Sequence, residues 1–369
     1  MRQAVDHIPP EIFCAQDYET AAKDFIAPPT YAYISSGSAR GETACYNRAA
    51  FDACTITSRI LGDVTAAHTR LSLSGRAFDH PILLAPVAHQ TLVHPKGETE
   101  TARGAAAMQS CMVASTLSSC SLEQIAKASP SEKWFQLYLQ PTRAATLSLI
   151  KRAEEASYSA IVLTADAAIQ IPGFAALRAG FQMPAHCIAA NLIDQSPPEP
   201  VPVPPGESRI FRSAMWAAPL WSDIDWLLSQ TRLPIWVKGV MHKDDALKLK
   251  AKNVAGIIVS NHGGRGLDGA PSTLSVLPAL RAEVGDSFPL LFDGGIRSGA
   301  DVFKALALGA DAVLIGRLQI YALSVAGALG VAHLIRTLRE ELEVTMALTG
   351  CTSLGDIRTS GLCRSGDTF

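Results

Sequence analysis

The chain has 369 residues and is almost electroneutral, with 32 Lys and Arg against 34 Asp and Glu. This balance argues against a general nucleic-acid-binding protein, because phosphate binding needs a basic surface. Hydrophobic residues make up 48% of the chain and charged residues 18%, so the chain can bury a large core and is not disordered as a whole.

Eight short apolar runs, rich in Val, Ile and Leu, recur along the chain without alternating with polar residues. Such runs are typical of strands that are buried on both faces. Amphipathic stretches separate them, and several begin at Ser or Asp, as a helix N-cap should. This alternation predicts an α/β fold, a (β/α)8 TIM barrel. The eight runs span 81–87, 111–116, 133–139, 160–166, 234–239, 256–261, 289–294 and 312–317.

Three segments fall outside this repeat. Residues 1–80 are expected to form an N-terminal helical extension that packs on a barrel spanning 81–350, and residues 351–369 form a C-terminal tail. Residues 167–221 separate the fourth strand from its helix and hold six prolines between 196 and 208. A long proline-rich connection of this kind predicts a mobile loop or lid.

The most apolar window, 318–335, is long enough to span a membrane. Gln319, Ser324 and His333 interrupt it and a charged helical stretch follows, so we predict a buried helix and no stable membrane insertion. The first ten residues lack the pattern of a signal peptide, and the eight cysteines form no CxxC pair. We therefore predict a cytoplasmic protein with reduced thiols and no metal site.

Polar side chains gather where the predicted strands end. In a TIM barrel the carboxyl ends of the strands carry the active site. One such residue is more often a satisfied core group, but here six strands contribute together, which favours an active site. The residues are Gln136, Tyr138, Thr164, Asp166, Lys238, Ser260, Asn261, His262, Asp293 and Arg317, with Arg265 close behind the sixth strand.

The seventh and eighth strands lead into glycine-rich turns, DGGIRSGAD (293–301) and IGR (315–317). Glycines let the backbone approach an anion, and the loops after these strands are the usual phosphate site of the barrel. Arg297 and Arg317 can add charge-assisted bonds. The pattern predicts a phosphorylated ligand; the alternative is that the glycines serve only tight turns.

A second glycine motif, GRGLDG (264–269), fits the GxGxxG pattern of nicotinamide dinucleotide sites. The first glycine of such a motif should follow the strand almost directly, but here Asn261, His262 and Gly263 intervene, and Ala270-Pro271-Ser272 delay the following helix. The motif also lies in the sixth unit and does not open the fold. An NAD-dependent dehydrogenase is therefore the weaker alternative.

The segment SNHGGRGLD (260–268) closely resembles the active-site signature of the FMN-dependent 2-hydroxy-acid oxidases and dehydrogenases, the family of glycolate oxidase and lactate or mandelate dehydrogenase. The resemblance spans about residues 15–358. Further blocks agree in order: YAYISSGS (31–38), LLAPVAHQ (83–90), WFQLY (134–138), LTAD (163–166), VKG (237–239), DGGIRSGADVFKALALGA (293–310), IGR (315–317) and TMALTGC (345–351).

The resemblance implies a role for each matching residue. His262 would take a proton from the substrate and Asp166 would stabilise the imidazolium, while Arg265, Tyr33 and Tyr138 would bind the substrate. Lys238 would face the flavin N1 end, where negative charge collects on reduction. The other flavin contacts would come from Pro86, Val87, Ala88, Ser115, Gln136, Thr164, Ser260, Asp293, Gly294, Gly295, Ile296, Arg297, Gly316 and Arg317.

The implied reaction is oxidation of a small 2-hydroxy acid to the 2-oxo acid, with FMN accepting two electrons and oxygen or another acceptor reoxidising it. Ala88 resembles the oxidase members more than the dehydrogenases. A homo-oligomer is expected from the family. An FMN-binding barrel with altered or lost hydroxy-acid activity stays open as an alternative.

Three positions depart from the family pattern. Gly173 stands where a second substrate-contacting Arg is common, Gly266 replaces a Gln, and His89 occupies a pocket position that is often larger or apolar. We hypothesise that the substrate differs from glycolate or lactate, being bulkier or less dependent on two arginines. For His89, a pocket role and a packing role stay open.

Overall fold

The computed structural model describes residues 2–195, 202–215 and 218–365. Eight parallel strands close into a barrel in the order β7-β8-β1-β2-β3-β4-β5-β6, which confirms the predicted (β/α)8 fold. The strands are β1 (Ile82–Leu84), β2 (Met112–Ser115), β3 (Lys133–Leu137), β4 (Ile161–Thr164), β5 (Ile235–Val240), β6 (Gly256–Val259), β7 (Leu290–Asp293) and β8 (Ala312–Ile315).

Successive side chains of a strand enter two different apolar clusters, because they point to opposite faces. Leu83, Val113 and Val162 belong to the cluster inside the barrel, where Trp134 stacks on Trp236 with ring centroids 5.0 Å apart. Their neighbours along each strand belong to the larger cluster beneath the helices. Both faces are thus buried, which explains the uninterrupted apolar runs.

The barrel helices begin where the sequence offers a cap. The hydroxyls of Ser121, Thr142, Ser272 and Ser298 each accept a hydrogen bond from a backbone N–H in the first turn of a helix. The eight helices are α1 (Gly97–Ala107), α2 (Leu122–Ala128), α3 (Arg143–Glu155), α4 (Trp221–Gln230), α5 (Lys243–Ala251), α6 (Thr273–Val284), α7 (Gly299–Ala307) and α8 (Arg317–Thr349).

Among the described residues, α8 is the one helix long and apolar enough to cross a membrane by length and composition. In the structure, 78% of its most apolar window is buried, as in the core helix of a globular domain. Non-helical backbone angles at Ala326 and Gly327 divide α8 into two parts. This burial agrees with the buried helix predicted from the sequence.

The N-terminal segment carries helices Asp17–Ala21, Pro28–Ser35 and Glu42–Ala53 and a short 3-10 turn, Ala22–Asp24. Ion pairs fix it to the turn after β7: Glu19 Oε2 lies 2.7 Å from Arg297 Nε, and Arg48 Nη1 lies 2.7 Å from Asp301 Oδ2. A hairpin of strands Leu71–Leu73 and Arg76–Phe78 adds Leu73 and Phe78 to the interior cluster.

Residues 167–221 contain helix Phe174–Arg178, a 3-10 turn Ala190–Leu192 and a π-helix Ile210–Ala214. The predicted proline-rich stretch lies outside the described residues from 196 to 201, and the predicted mobility stays a prediction.

The segment predicted as a C-terminal tail folds back onto the N-terminal segment. It forms helix Leu354–Thr359 and then strand Cys363–Ser365, which pairs antiparallel with strand Cys54–Ile56. The N-terminal segment and residues 363–365 therefore meet in one small sheet outside the barrel.

Candidate active site

One cavity at the carboxyl ends of the barrel strands collects nearly all of the predicted site residues. It is lined by every one of them except Asp166, Ser260 and Asn261. Asp166 bonds to His262 and Ser260 bonds to Lys238, and both of these partners line the cavity. His262 and Arg265, brought by the loop after β6, therefore share one cavity with the glycine-rich turns after β7 and β8.

His262 is held by a buried carboxylate. Its Nδ1 lies 2.9 Å from Oδ1 of Asp166, and its backbone N–H donates to Ser260 Oγ at 3.0 Å. The backbone at His262 has φ of +61°, in the left-handed region that side chains other than glycine rarely adopt. Because the carboxylate accepts from Nδ1–H, the lone pair lies on Nε2, which is the atom available to take a proton.

Lys238 places a buried positive charge beside this pair. Its Nζ lies 4.0 Å from Asp166 Oδ2 and 3.3 Å from Asp293 Oδ2, and donates to Ser260 Oγ at 2.7 Å. Burial alone would lower the pKa of Lys238, but attraction to the two carboxylates outweighs it and raises the pKa. Burial opposes ionisation of Asp166, yet Lys238 and His262 lower its pKa to about 2.

Two partly buried arginines reach the cavity without a carboxylate partner among the described residues. Arg265 donates to the carbonyls of Tyr33 and Ser36, and Arg317 donates to those of Ile34, Gly263 and Ser36. Burial, followed by repulsion from Arg265, lowers the pKa of Arg317 to about 10. Among the described residues, the hydrogen bonds of both guanidinium groups go to backbone carbonyls alone, so these partly buried cations form a site suited to anionic groups.

Two tyrosines complete the wall near Arg265. The Arg265 guanidinium lies 4.7 Å from the centroid of the Tyr33 ring, and Tyr33 stacks on Phe181 with centroids 4.2 Å apart. Burial raises the pKa of Tyr138 to about 12, so its hydroxyl keeps its proton at neutral pH and can donate a hydrogen bond. The cavity thus offers a guanidinium and phenol groups close to His262.

The residues present fit a flavin mononucleotide. Ser115 Oγ and the backbone N–H of Thr116 both donate to Gln136 Oε1, while Gln136 Nε2 is buried and has no partner among the described residues. Thr164 Oγ1 and Asp293 Oδ1 are also buried and unpartnered. Since buried polar atoms are normally hydrogen-bonded, these three atoms indicate a polar ligand such as the isoalloxazine ring or ribityl chain.

The turn after β7 shows why glycines are needed there. Gly294 and Gly295 have φ of +110° and +88°, and a Cβ on Gly295 would lie 2.6 Å from the carbonyl oxygen of Asn47. Arg297 lines the cavity while its Nε is bonded to Glu19. Gly316 has open space around it. A phosphate would meet this turn, Gly316 and Arg317, as the sequence predicts.

Sequence reasoning missed the contacts that link distant segments to the site. Asn47 and Asn261 exchange two side-chain hydrogen bonds of 2.8 Å, and so fix the loop that carries His262. Gln170 and Leu117 line the cavity but carry no charge that would mark them in the sequence. Only the position of Asn261 beside His262 gave any signal.

The structure explains one of the three departures. A Cβ on Gly173 would lie 2.4 Å from the Gly37 carbonyl oxygen, so this backbone leaves no room for a second arginine. Nothing in the structure explains Gly266, since a Cβ there would make only ordinary contacts, 3.4 Å from the carbonyl oxygen of Asp166. His89 lines the cavity, and its Nδ1 is buried without a partner. Its lining position favours the pocket role over the packing role.

The GRGLDG motif serves packing in the structure. Asp268 within it accepts hydrogen bonds from the backbone N–H groups of Arg40 and Thr43 at the start of helix Glu42–Ala53. The motif thus ties the N-terminal segment to the barrel.

A family model described as FMN-dependent dehydrogenase matches residues 22–364. The chain belongs to this family. The match confirms the predicted family and its FMN cofactor, and the nicotinamide alternative finds no support.

Named relatives agree. The chain is 58% identical over 352 residues to an L-lactate oxidase of Alicycliphilus denitrificans, covering 95% of this chain and 96% of that protein. It is 38% identical to a peroxisomal (S)-2-hydroxyacid oxidase of Arabidopsis thaliana, covering 94% and 95%. A crystal structure of mandelate oxidase with (S)-2-phenylpropionate aligns with a TM-score of 0.86 and 36% identity, covering 96% and 99%. The prediction of FMN-dependent 2-hydroxy-acid oxidation is confirmed.

Proposed function

We propose that the protein is an oxygen-dependent oxidase of short L-2-hydroxy acids, with L-lactate as the preferred substrate. The observation that carries the proposal is the shared cavity of His262, backed by Asp166, and Arg265, which lacks a carboxylate partner among the described residues. Oxidising a hydroxy-acid anion requires a base and a cationic group that binds the carboxylate.

The geometry supports the following residue roles. The planar fork of Arg265 matches a substrate carboxylate, and the hydroxyls of Tyr33 and Tyr138 donate to the carboxylate and to the oxygen on C2. His262 Nε2 takes a proton from the bound substrate. Asp166, whose pKa is about 2, stays ionised and stabilises the imidazolium that results.

FMN supplies the acceptor for the two electrons that leave the substrate. The ammonium of Lys238, with its raised pKa, supplies a fixed positive charge beside the strand ends that line the flavin cavity. Gln136 and Thr164 offer hydrogen-bonding atoms at the cavity wall.

The names of the relatives support L-lactate as the substrate and oxygen as the electron acceptor. Proteins called L-lactate oxidase are 58% and 42% identical to this chain over almost its whole length. Ala88 at the cavity wall also resembles the oxidase members. The hypothesis of a substrate other than glycolate or lactate, drawn from Gly173, is therefore the less favoured one.

A substrate series tests the proposal. We expect kcat/KM to be highest for L-lactate among glycolate, L-lactate, L-2-hydroxybutyrate and L-mandelate, with one hydrogen peroxide formed per oxygen consumed. D-lactate serves as the matched control. A preference for L-mandelate would contradict L-lactate as the preferred substrate. Turnover with a dye acceptor but without oxygen uptake would contradict oxygen as the electron acceptor.

We also propose a cytoplasmic homo-oligomer. All eight cysteines lie within the described residues and are free thiols, which suits a reducing compartment. Phe13, Ile60 and Leu61 are largely exposed and apolar, which supports burial between subunits. Light scattering of the purified protein tests the assembly, and a monomeric mass would contradict it.

A further inference from the structure

Two cysteines that are far apart in sequence lie close together where a strand of the N-terminal segment pairs with the C-terminal strand. Cys54 ends helix Glu42–Ala53 and begins strand Cys54–Ile56, and Cys363 begins the partner strand. Their Sγ atoms lie 3.7 Å apart. Backbone pairing of Ile56 with Cys363 and a 2.9 Å hydrogen bond from Thr57 N to Leu362 O hold this register.

The geometry points to a peroxide-sensitive dithiol: we propose that Cys54 and Cys363 form a reversible disulfide that fastens the C-terminal strand to the N-terminal segment. A disulfide has an S–S bond of about 2.05 Å, so the sulfur atoms must approach by about 1.7 Å. The partner strand is three residues long and lies outside the barrel, so it can move by this amount without disturbing the barrel.

The surroundings favour a thiolate at this position. The hydrogen bond with Cys363 lowers the pKa of the Cys54 thiol to about 7, against the effect of burial, and the nearby ammonium of Lys304 adds to the lowering. Asp301 acts in the opposite direction. Cys363 is only partly buried and gives the pair a side open to solvent, whereas Cys54 is 2% exposed. Thiolates, and not thiols, react with peroxide.

The reaction balances with hydrogen peroxide as the oxidant. One thiolate of the pair attacks a peroxide oxygen and, with one proton, gives a sulfenic acid and water. The second thiol then attacks the sulfenic sulfur, and the hydroxyl leaves as a second water. Two thiols and one peroxide thus become one disulfide and two waters. The source of peroxide rests on the proposed oxygen-dependent turnover, but the pair itself does not.

The disulfide would act on the segment next to the active site. Helix Glu42–Ala53 carries Asn47, which bonds to Asn261, and Arg48, which donates to Gly295 O at 2.7 Å. A bond at Cys54 would fix the end of this helix to residue 363. Since a crosslink between distant residues restricts the unfolded chain, oxidation is expected to raise the melting temperature.

Peptide mapping of the holoenzyme tests the proposal. After one equivalent of added hydrogen peroxide, we expect two fewer alkylatable thiols, a mass loss of about 2 Da and a crosslinked peptide joining 54 to 363. The melting temperature should rise and return on addition of dithiothreitol. Cys45→Ser, which removes an exposed thiol, is the matched control and should behave like the wild type. Cys54→Ser and Cys363→Ser should lose the crosslink and the shift in melting temperature.

If both cysteines stay alkylatable while other thiols oxidise, or if the crosslink joins other cysteines, the proposal is wrong. The wild-type map alone decides this, even if a serine variant fails to fold. A second experiment replaces added peroxide with L-lactate and air, with and without catalase. Crosslinking with added peroxide but not during turnover would support the pair and contradict the proposed use of oxygen.

Discussion

His262 presents one imidazole nitrogen to the cavity because Asp166 holds the other at 2.9 Å. We expect His262→Ala to keep FMN, since Lys238 and Gln136 remain. Anaerobic flavin reduction by substrate should be slower by about 10²–10⁴-fold, which is the usual contribution of a general base. Absorbance at 450 nm in a stopped-flow instrument measures this rate. His186→Ala, at an exposed position, is the control. If flavin in His262→Ala is reduced as fast as in the wild type, His262 is not the base.

Asp166 contributes to stability in a pH-dependent way. Its pKa in the folded protein, about 2, lies below the ordinary value of 3.8, so its contribution is complete above the ordinary value and is lost as the pH falls towards 2. At pH 6 we expect the free energy of unfolding of the wild type to be about 2 kcal/mol larger than that of Asp166→Asn. Urea titrations should show this difference shrinking between about pH 4 and pH 2. A difference that stays constant would contradict the prediction.

At the scale of elements, a buried carboxylate joins the loops after β1 and β2. Glu98 of α1 is fully buried and accepts from the backbone N–H groups of Gln90, Ser119 and Cys120 at 3.0, 2.9 and 3.1 Å. In Glu98→Gln an amide NH₂ group would face one of these donors. We expect a loss of about 1–3 kcal/mol in stability.

The same change should weaken FMN binding, because these loops carry Ala88 and Leu117 into the cavity. Thermal unfolding and a flavin fluorescence titration measure the two effects. Glu155→Gln, an exposed change on α3, should alter neither. If Glu98→Gln binds FMN as tightly as the wild type, the loops do not depend on this carboxylate.

The segment after β4 is tied to the N-terminal segment through Gly173, which forms an isolated bridge with Ala39. Gly173→Arg would restore a side chain common in the family, but its Cβ would lie 2.4 Å from the Gly37 carbonyl. We expect a stability loss of about 1–3 kcal/mol from overpacking and no decrease in KM. Gly355→Ala, whose Cβ would meet only Ser353 Oγ at 3.5 Å, is the control. A stable variant with a lower KM would show that the segment can rearrange to admit a second arginine.

The barrel could be predicted from the sequence because each strand is buried on both faces and so reads as an apolar run, although β1 ends three residues before its run does. The charged residues of the site could be predicted because they follow those runs. Asn47 and Glu98 could not, since each acts through a contact between segments that local sequence does not encode. The strand formed by residues 363–365 depends likewise on pairing with a strand more than 300 residues away.

At the scale of the whole molecule, closure of the barrel brings side chains from six strands and the N-terminal segment around one cavity. The molecule can hold partly buried cations such as Arg265 and Arg317 there because anionic ligands complete their environment. The account therefore depends on FMN and a hydroxy-acid carboxylate meeting in this single cavity.

Anaerobic titration of the purified holoenzyme with L-lactate tests this most directly. The account predicts yellow protein whose absorbance near 450 nm disappears with L-lactate in the absence of oxygen and returns when air is admitted. Flavin that stays oxidised with L-lactate and with every other 2-hydroxy acid in the series would contradict it.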